Sequence, residues 1–196
     1  EYGEEPLDDS TATTHLAIDR SAVRRLEADE IDVSKSFVGV AKFENGTIRQ
    51  AYLRVGNPFS QSVRYLYLSK NLATNALGNG DSINLRLTPD GRVGVFESLA
   101  SNLVEGDTNG VADIFRFELN EAKTAVARLD RVSTSRYNFQ ANGPSRNPSL
   151  CDDGQFVGFE TDATNLIELD RNATSDILVK WMVTGEVVRL SRTVDG

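Results

Sequence analysis

The sequence predicts an all-β chain of tandem four-stranded antiparallel sheets, and three observations carry that expectation. One stretch recurs without a gap, each copy breaks into short runs rich in Val, Ile and Phe, and the breaks fall on turn-forming residues. Setting Asp90-Gly91 over Asp153-Gly154, an offset of 63 (153 − 90), aligns Asn84–Phe117 with Asn147–Lys180, and 14 of these 34 positions are identical. They include Phe96/Phe159, Glu97/Glu160, Ala100/Ala163, Asn102/Asn165, Leu103/Leu166, Asp107/Asp170, Asn109/Asn172, Asp113/Asp176 and Ile114/Ile177. Unrelated stretches of ordinary composition would match at about two positions, so the segment is a duplication.

In chain order, residues 1–33 form an acidic N-terminal segment, with Glu1, Glu4, Glu5, Asp8 and Asp9 at its start. Residues 1–13 read as disordered. Ser21 can cap a short helix over Ala22–Glu30 that places Val23, Leu26 and Ile31 on one face; the alternative is a strand at His15–Ile18 followed by a loop. A diverged first unit covers 34–80, with strands at Phe37–Phe43, Ile48–Val55 and Val63–Ser69. Asn45-Gly46 is a strong hairpin signal between the first two, and Gly56-Asn57-Pro58 turns the chain into the third. A second unit covers 81–133, with strands expected at Ile83–Leu87, Arg92–Glu97, Ile114–Glu118 and Thr124–Leu129. The third unit, 134–196, has strands expected at Pro148–Leu150, Phe156–Glu160, Ile177–Trp181 and Glu186–Leu190 and then the start of a further connection. The breaks at Pro89-Asp90-Gly91 and Asp152-Asp153-Gly154 have a mechanism. Pro presets φ, Asp bonds its own backbone, and Gly accepts positive φ.

Four antiparallel strands at a fixed period are the pattern of a β-propeller blade. The expected fold is therefore all-β, with tandem four-stranded blades of β-propeller type that are incomplete or completed by other chains.

Composition narrows the function. A chain of 196 residues, 39% hydrophobic and 26% charged, can bury a core as one ordinary domain or two small ones. No apolar run approaches the ~18 residues that span a bilayer, and no basic segment followed by an apolar one opens the chain, which begins at Glu1 as a trimmed product would. The net charge of −8 repels phosphate backbones and anionic lipid, so neither nucleic acid nor membrane insertion is expected. Cys151 is the single cysteine, which rules out an intrachain disulfide and leaves the compartment open.

Asp90-Gly91-Arg92-Val93-Gly94-Val95-Phe96-Glu97-Ser98, followed by Ala100-Ser101-Asn102-Leu103, Gly106-Asp107-Thr108-Asn109-Gly110 and Asp113-Ile114-Phe115, resembles the TolB-like β-propeller repeat of bacteria. Asp153-Gly154 through Asp176-Ile177-Leu178-Val179 is similar to the same pattern, with Arg171 and Ala173 at variable places. The resemblance covers residues 76–196, with a vaguer match over 37–69. It implies an adaptor, a lid on a peptidase, or a surface or periplasmic binding domain. It also implies about six blades per closed ring, so this chain reads either as a fragment or as a subunit whose open sheets are completed by other chains.

One constellation stands out: Asp107-x-Asn109-x-x-x-Asp113 and its copy Asp170-x-Asn172-x-x-x-Asp176. Side-chain oxygens at i, i+2 and i+6, with carbonyls between, are the hard ligands that calcium takes at about 2.3–2.6 Å, and Glu105 and Glu168 can add charge. The other reading is that these residues make Asx-turns, as Asn102 and Asn165 do. Neither loop has the acid spacing of an EF-hand.

Catalysis finds little support. His15 is the only histidine, outside the repeats, and no Gly-x-Ser-x-Gly elbow is present. Glu97 and Glu160 occupy equivalent places in neighbouring units, where a strand-end hydrogen bond is the ordinary role. Cys151 reads as a small buried side chain, and Trp181 and Met182 as packing. The sequons at Asn45 and Asn172 matter only in a glycosylating host. The expectation is a non-catalytic, extracytoplasmic module acting by protein binding, with calcium as a candidate cofactor. Two alternatives stay open: a subunit forming homo-oligomers or filaments by strand completion, and the accessory propeller of a larger hydrolase.

Overall fold

The computed structural model describes residues 37–44, 48–55, 64–168, 170 and 174–191, and every regular element among them is a β-strand. The strands are β1 Phe37–Glu44, β2 Ile48–Val55, β3 Arg64–Tyr67, β4 Ser82–Leu87, β5 Val93–Ser98, β6 Asp113–Leu119, β7 Val126–Arg131, β8 Ser145–Leu150, β9 Phe156–Thr161, β10 Asp176–Trp181 and β11 Val187–Arg189. They form three antiparallel sheets, ordered β1-β2-β3, β4-β5-β6-β7 and β11-β10-β9-β8. The proposed helix at 22–30, the alternative strand at 15–18 and the turns at 45–46 and 56–58 lie outside the described residues.

Register repeats with the sequence. Glu97 faces Ile114 in the second sheet as Glu160 faces Ile177 in the third. Both first strands carry a bulge at an asparagine of positive φ, Asn84 at 54° and Asn147 at 53°; asparagine enters this region more readily than most L-residues. Pro148 sits in the second bulge, where the register jumps from Arg146 to Ser149, so its missing N–H costs no ladder bond. This is why β8 starts at Ser145 rather than at Pro148. Strand β7 starts later than expected because Asn120 Oδ1 takes the N–H groups of Thr124 (2.8 Å) and Ala125 (3.3 Å) and holds that stretch as a turn.

The sheets pack face to face. One core joins the first sheet to the second through Ala51, Leu53, Leu68, Phe96, Phe115 and Phe117, with Phe96 stacked on Phe115 at 5.6 Å. The other joins the second to the third through Val95, Ile114, Val132, Val157, Phe159 and Leu178. Alternate residues of β5 and β6 serve opposite cores, so these strands read as continuous apolar runs rather than as an alternation.

The connections between sheets are duplicated too. Asn79 exchanges bonds with Ser101 and Asn102, and Asn142 does the same with Thr164 and Asn165. A Cβ on Gly80 would lie 2.6 Å from the Leu99 carbonyl, and one on Gly143 would lie 2.9 Å from that of Asp162. Glycine is what allows the chain to pass this close to the β5–β6 and β9–β10 loops.

Candidate functional site

The Asp/Asn loop is closed from the fourth strand of its own sheet. Asp107, half-buried but with its side chain covered, and the buried Asp113 share the guanidinium of Arg131, whose Nη1 lies 3.2 Å from Asp107 Oδ1 and 3.8 Å from Asp113 Oδ2. Asn109 Oδ1 accepts the Val111 N–H at 3.2 Å, an Asx-turn, while its Nδ2 donates to Asp113 Oδ2 (2.8 Å) and to the Ala141 carbonyl (3.1 Å). The Ser133 hydroxyl donates to Asp113 Oδ1 and accepts the Ile114 N–H at 3.1 Å. In the third sheet Arg189 Nη1 lies 3.5 Å from Asp170 Oδ1 and 3.3 Å from Asp176 Oδ2. The Ser191 hydroxyl donates to Asp176 Oδ1 at 2.6 Å and accepts the Ile177 N–H at 3.0 Å. Asn172 lies outside the described residues.

The electrostatics are those of an incompletely neutralised pocket. Burial pushes the Asp107 carboxyl above the usual range, the Asp113 charge adds to this, and Arg131 offsets part of it. Burial likewise raises Asp113, against the Ser133 and Asn109 hydrogen bonds and the Arg131 charge. Arg131 Nη1 and Asp170 Oδ1 make their ionic contacts without aligned hydrogen bonds. Among the described residues, no group of three His, Cys, Asp or Glu side chains is placed to hold a metal ion.

The first sheet solves the same problem with one neutral residue. Gln50, the third residue of β2, takes the place that Asp113 holds as the first residue of β6. Its Oε1 accepts from the Ser69 hydroxyl at 2.7 Å, and Ser69 Oγ accepts the Ala51 N–H at 3.0 Å. Its Nε2 donates to the Gly78 carbonyl at 2.8 Å, as Asn109 does to Ala141. One glutamine thus replaces the Asp and the Asn, and the long loop with its arginine is absent from this sheet.

Glu97 and Glu160 also hold structure. Each accepts from the asparagine of its bulge, Asn84 at 2.9 Å and Asn147 at 3.0 Å. Glu97 accepts in addition the N–H of Asn147, 3.2 Å away in the next sheet. Asn102 and Asn165 do not make the local Asx-turns expected of them. Their Nδ2 groups reach back about 25 residues to the Leu77 and Gln140 carbonyls, at 2.9 and 2.8 Å, because the loop is folded onto the segment that leads into its own sheet. Cys151 is half-buried rather than buried. It takes the place of Thr88: the thiol donates to Asp153 Oδ1 at 2.7 Å and accepts the Phe156 N–H at 3.1 Å, as Thr88 does with Asp90 and Val93.

Three features escaped the sequence reading. Lys180 Nζ is buried against the connection after β7, donating to the Thr134 carbonyl (3.0 Å) and hydroxyl (2.5 Å), and burial lowers its pKa to about 8 against the pull of Asp130. Arg116 Nε donates to the Gly154 carbonyl at 3.0 Å across the same interface. Burial moves its pKa down. At the rim, Tyr137 and Phe139 are 64% and 66% exposed. Ser135 Oγ takes both of their N–H groups, at 3.2 and 3.1 Å, and the Arg136 guanidinium lies 5.2 Å from the Tyr137 ring. The run Ser-Arg-Tyr-Asn-Phe between two strands was the available signal. Charged residues inside strands, by contrast, give no sequence sign of burial.

Compared with known proteins, the chain matches no family model and no curated sequence.

Proposed function

We propose that this chain is a non-catalytic β-repeat module of propeller type, similar to the TolB-like repeat, which works outside the cytoplasm by binding another protein. The observation that carries this reading is a division of labour. Among the described residues, the charged side chains that the fold buries, Asp113, Arg116 and Lys180, hold loops and sheets together, whereas a preorganised aromatic loop stands in solvent. Tyr and Arg on a rigid loop are the residue types that anchor protein interfaces, because they offer much contact area with little conformational entropy to lose. Glu97 and Glu160, equivalent carboxylates of the two repeats, are tied to bulges in different sheets.

We assign the Asp/Asn loops a structural role in preference to calcium binding. Arg131 and Arg189 already deliver positive charge to the carboxylates, and Gln50 does the same work without charge.

The test is affinity capture from the source cell envelope and medium, with the chain as bait beside Tyr137→Ser/Phe139→Ser. Proteins held by the wild type and lost by the variant are the expected result; equal capture by both would remove the loop from the reading. Turnover of glycoside, ester or peptide substrates would overturn the non-catalytic assignment.

A further inference from the structure

The duplication supplies a control for the aromatic rim loop, because the connection after β3 has the same build as the one after β7. The Asn71 N–H donates to the Ala76 carbonyl as the Ser135 N–H donates to that of Phe139, and Asn75 and Asn138 turn the two loops at the same φ of 62°. Asn71 Oδ1 accepts the N–H groups of Ala73 and Thr74, as Ser135 Oγ accepts those of Tyr137 and Phe139. The aromatic side chains belong to the second loop alone, where Phe139 stands in the place of Ala76.

The two loops are fastened differently. In the first, Lys70 Nζ donates to Asn75 Oδ1 and Asn71 Nδ2 donates to the Asn102 carbonyl, each at 2.7 Å. In the second these places are held by Thr134 and Ser135, which have neither an ammonium nor an amide to do the same. The tie comes instead from the third sheet. Lys180 of β10 brings its amine to the Thr134 carbonyl (3.0 Å), the Thr134 hydroxyl (2.5 Å) and the Ser135 carbonyl (3.5 Å). Its counterpart at the offset of 63 (180 − 117) is Phe117, fully buried in the first apolar core. Lys180 is only 4% exposed, with the uncharged Val157 and Val187 opposite it on β9 and β11 and Asp130 as the charge that acts on it. Burying an amine is costly, and an apolar side chain fills the equivalent place elsewhere in this chain. The lysine is placed where its donors reach the base of the aromatic loop.

We propose that Lys180 is the positioning residue of the rim loop: its amine, arriving from the next sheet, holds the loop's base and so fixes how Tyr137 and Phe139 are presented to a partner. The assignment rests on the reading of that loop as the binding surface. Thr134 and Ser135 are each 5% exposed. Without the amine their buried acceptors lose their donor, and opening of the loop, which lets water reach them, becomes more favourable. A loop that must be ordered on contact binds more weakly than one held ready.

Amide exchange followed by NMR on the 196-residue chain tests this, with Lys180→Met, which keeps the apolar stem and removes the donors. The Ser135, Asn138 and Phe139 amides are expected to exchange about tenfold faster in the variant. Asn71 and Asn75 of the first loop and the amides of β9 are expected to keep their wild-type rates. Thr134→Val leaves the amine in place and removes one acceptor, and it is expected to move the same loop amides by a smaller factor. Unchanged loop rates in both variants would overturn the inference. Faster exchange spread evenly over β9 and β10 would do so too, by making Lys180 a general support of its sheet. In capture from the cell envelope, Lys180→Met is expected to lose the proteins that Tyr137→Ser/Phe139→Ser loses, and retention at the wild-type level would overturn the positioning role. Equal capture by the wild type and the aromatic variant would instead overturn the binding reading, with the exchange result standing as a property of the loop.

Discussion

Gln50 of the first sheet stands where Asp113 stands in the second, and each accepts a hydrogen bond from a serine hydroxyl that in turn takes the next residue's N–H. The part common to all three sheets is therefore Ser69, Ser133 or Ser191 bonded to the strand before the last, β2, β6 or β10. The acid, the asparagine and the arginine are one way to complete it. The first prediction follows directly. Asp113→Asn keeps an acceptor for Ser133 and relieves the charge that burial disfavours, so it should cost less than 1 kcal/mol. Asp113→Ala should cost about 1–3 kcal/mol by taking away the buried acceptor of the Ser133 hydroxyl and one of the two acceptors of Asn109 Nδ2. Urea denaturation separates the two. An Asn variant as unstable as the Ala variant would mean that the charge itself is required.

Calcium gives a second measurement on the same loops. An ion at 100 times its dissociation constant would stabilise by about 2.7 kcal/mol, which for a chain of this size raises the melting temperature by roughly 5–10 °C. The expected shift between calcium and chelator is well below that. A shift of that size, abolished by Asp107→Ala with Asp170→Ala, would restore the metal reading.

Removing the guanidinium should leave two buried acids facing each other. Arg131→Met is expected to cost about 2–4 kcal/mol at pH 7, somewhat less than a fully buried pair because one side of the loop meets solvent. The sign with pH follows from the direction of the shifts. Asp107 and Asp113 have folded pKa values above their ordinary one, so their contribution is present at low pH and is lost as pH rises through the folded values. The variant's deficit should therefore shrink as pH falls toward 4. A deficit independent of pH would place the damage in packing instead.

Lys180 predicts the opposite end of the titration. Its folded pKa of about 8 lies below the ordinary 10.5. Between those values the unfolded chain binds the proton and the folded chain does not, so stability rises with pH through that window. The full span corresponds to about 3 kcal/mol at ~1.4 kcal/mol per unit. Lys180→Met should remove this slope. The difference between wild type and variant, followed by chemical denaturation from pH 7 to 10.5, isolates it from the tyrosines. An unchanged slope would mean that the amine stays protonated in its pocket.

Glu97 and Glu160 differ by one bond, and the difference can be read out. Both hold the asparagine of their bulge, but only Glu97 also takes the Asn147 N–H of the following sheet. Glu97→Ala should cost about 1–2 kcal/mol and Glu160→Ala about half of that. Equal costs would show that the inter-sheet bond adds nothing to stability.

The strands were legible because turn chemistry is local. Gly91 at a φ of 66° and Gly154 at 68° close the turns that Asp90 and Asp153 set up, and the alternation on either side follows. Where the reading slipped, a nonlocal bond had intervened. Pro148 sits inside a strand because a bulge makes room for it, and Asn102 reaches Leu77 rather than its own turn. The candidate site was half legible. Asp107, Asn109 and Asp113 repeat as a spaced pattern, but the arginine that neutralises them comes from a strand 18 or more residues later, and no spacing rule connects the two.

By itself the sequence determined the period, the strand pattern and the turns, because each depends on neighbours along the chain and on a duplication that copied them together. Tertiary structure decided what the charged residues do and which face is left over. Burial of Arg116 and Lys180, the sharing of Arg131 between Asp107 and Asp113, and the exposure of Ile177 where Ile114 is covered all depend on which sheet lies alongside. Identical residues in the two copies thus meet different surroundings, and the free energy of a side chain is set by those surroundings rather than by its place in the repeat.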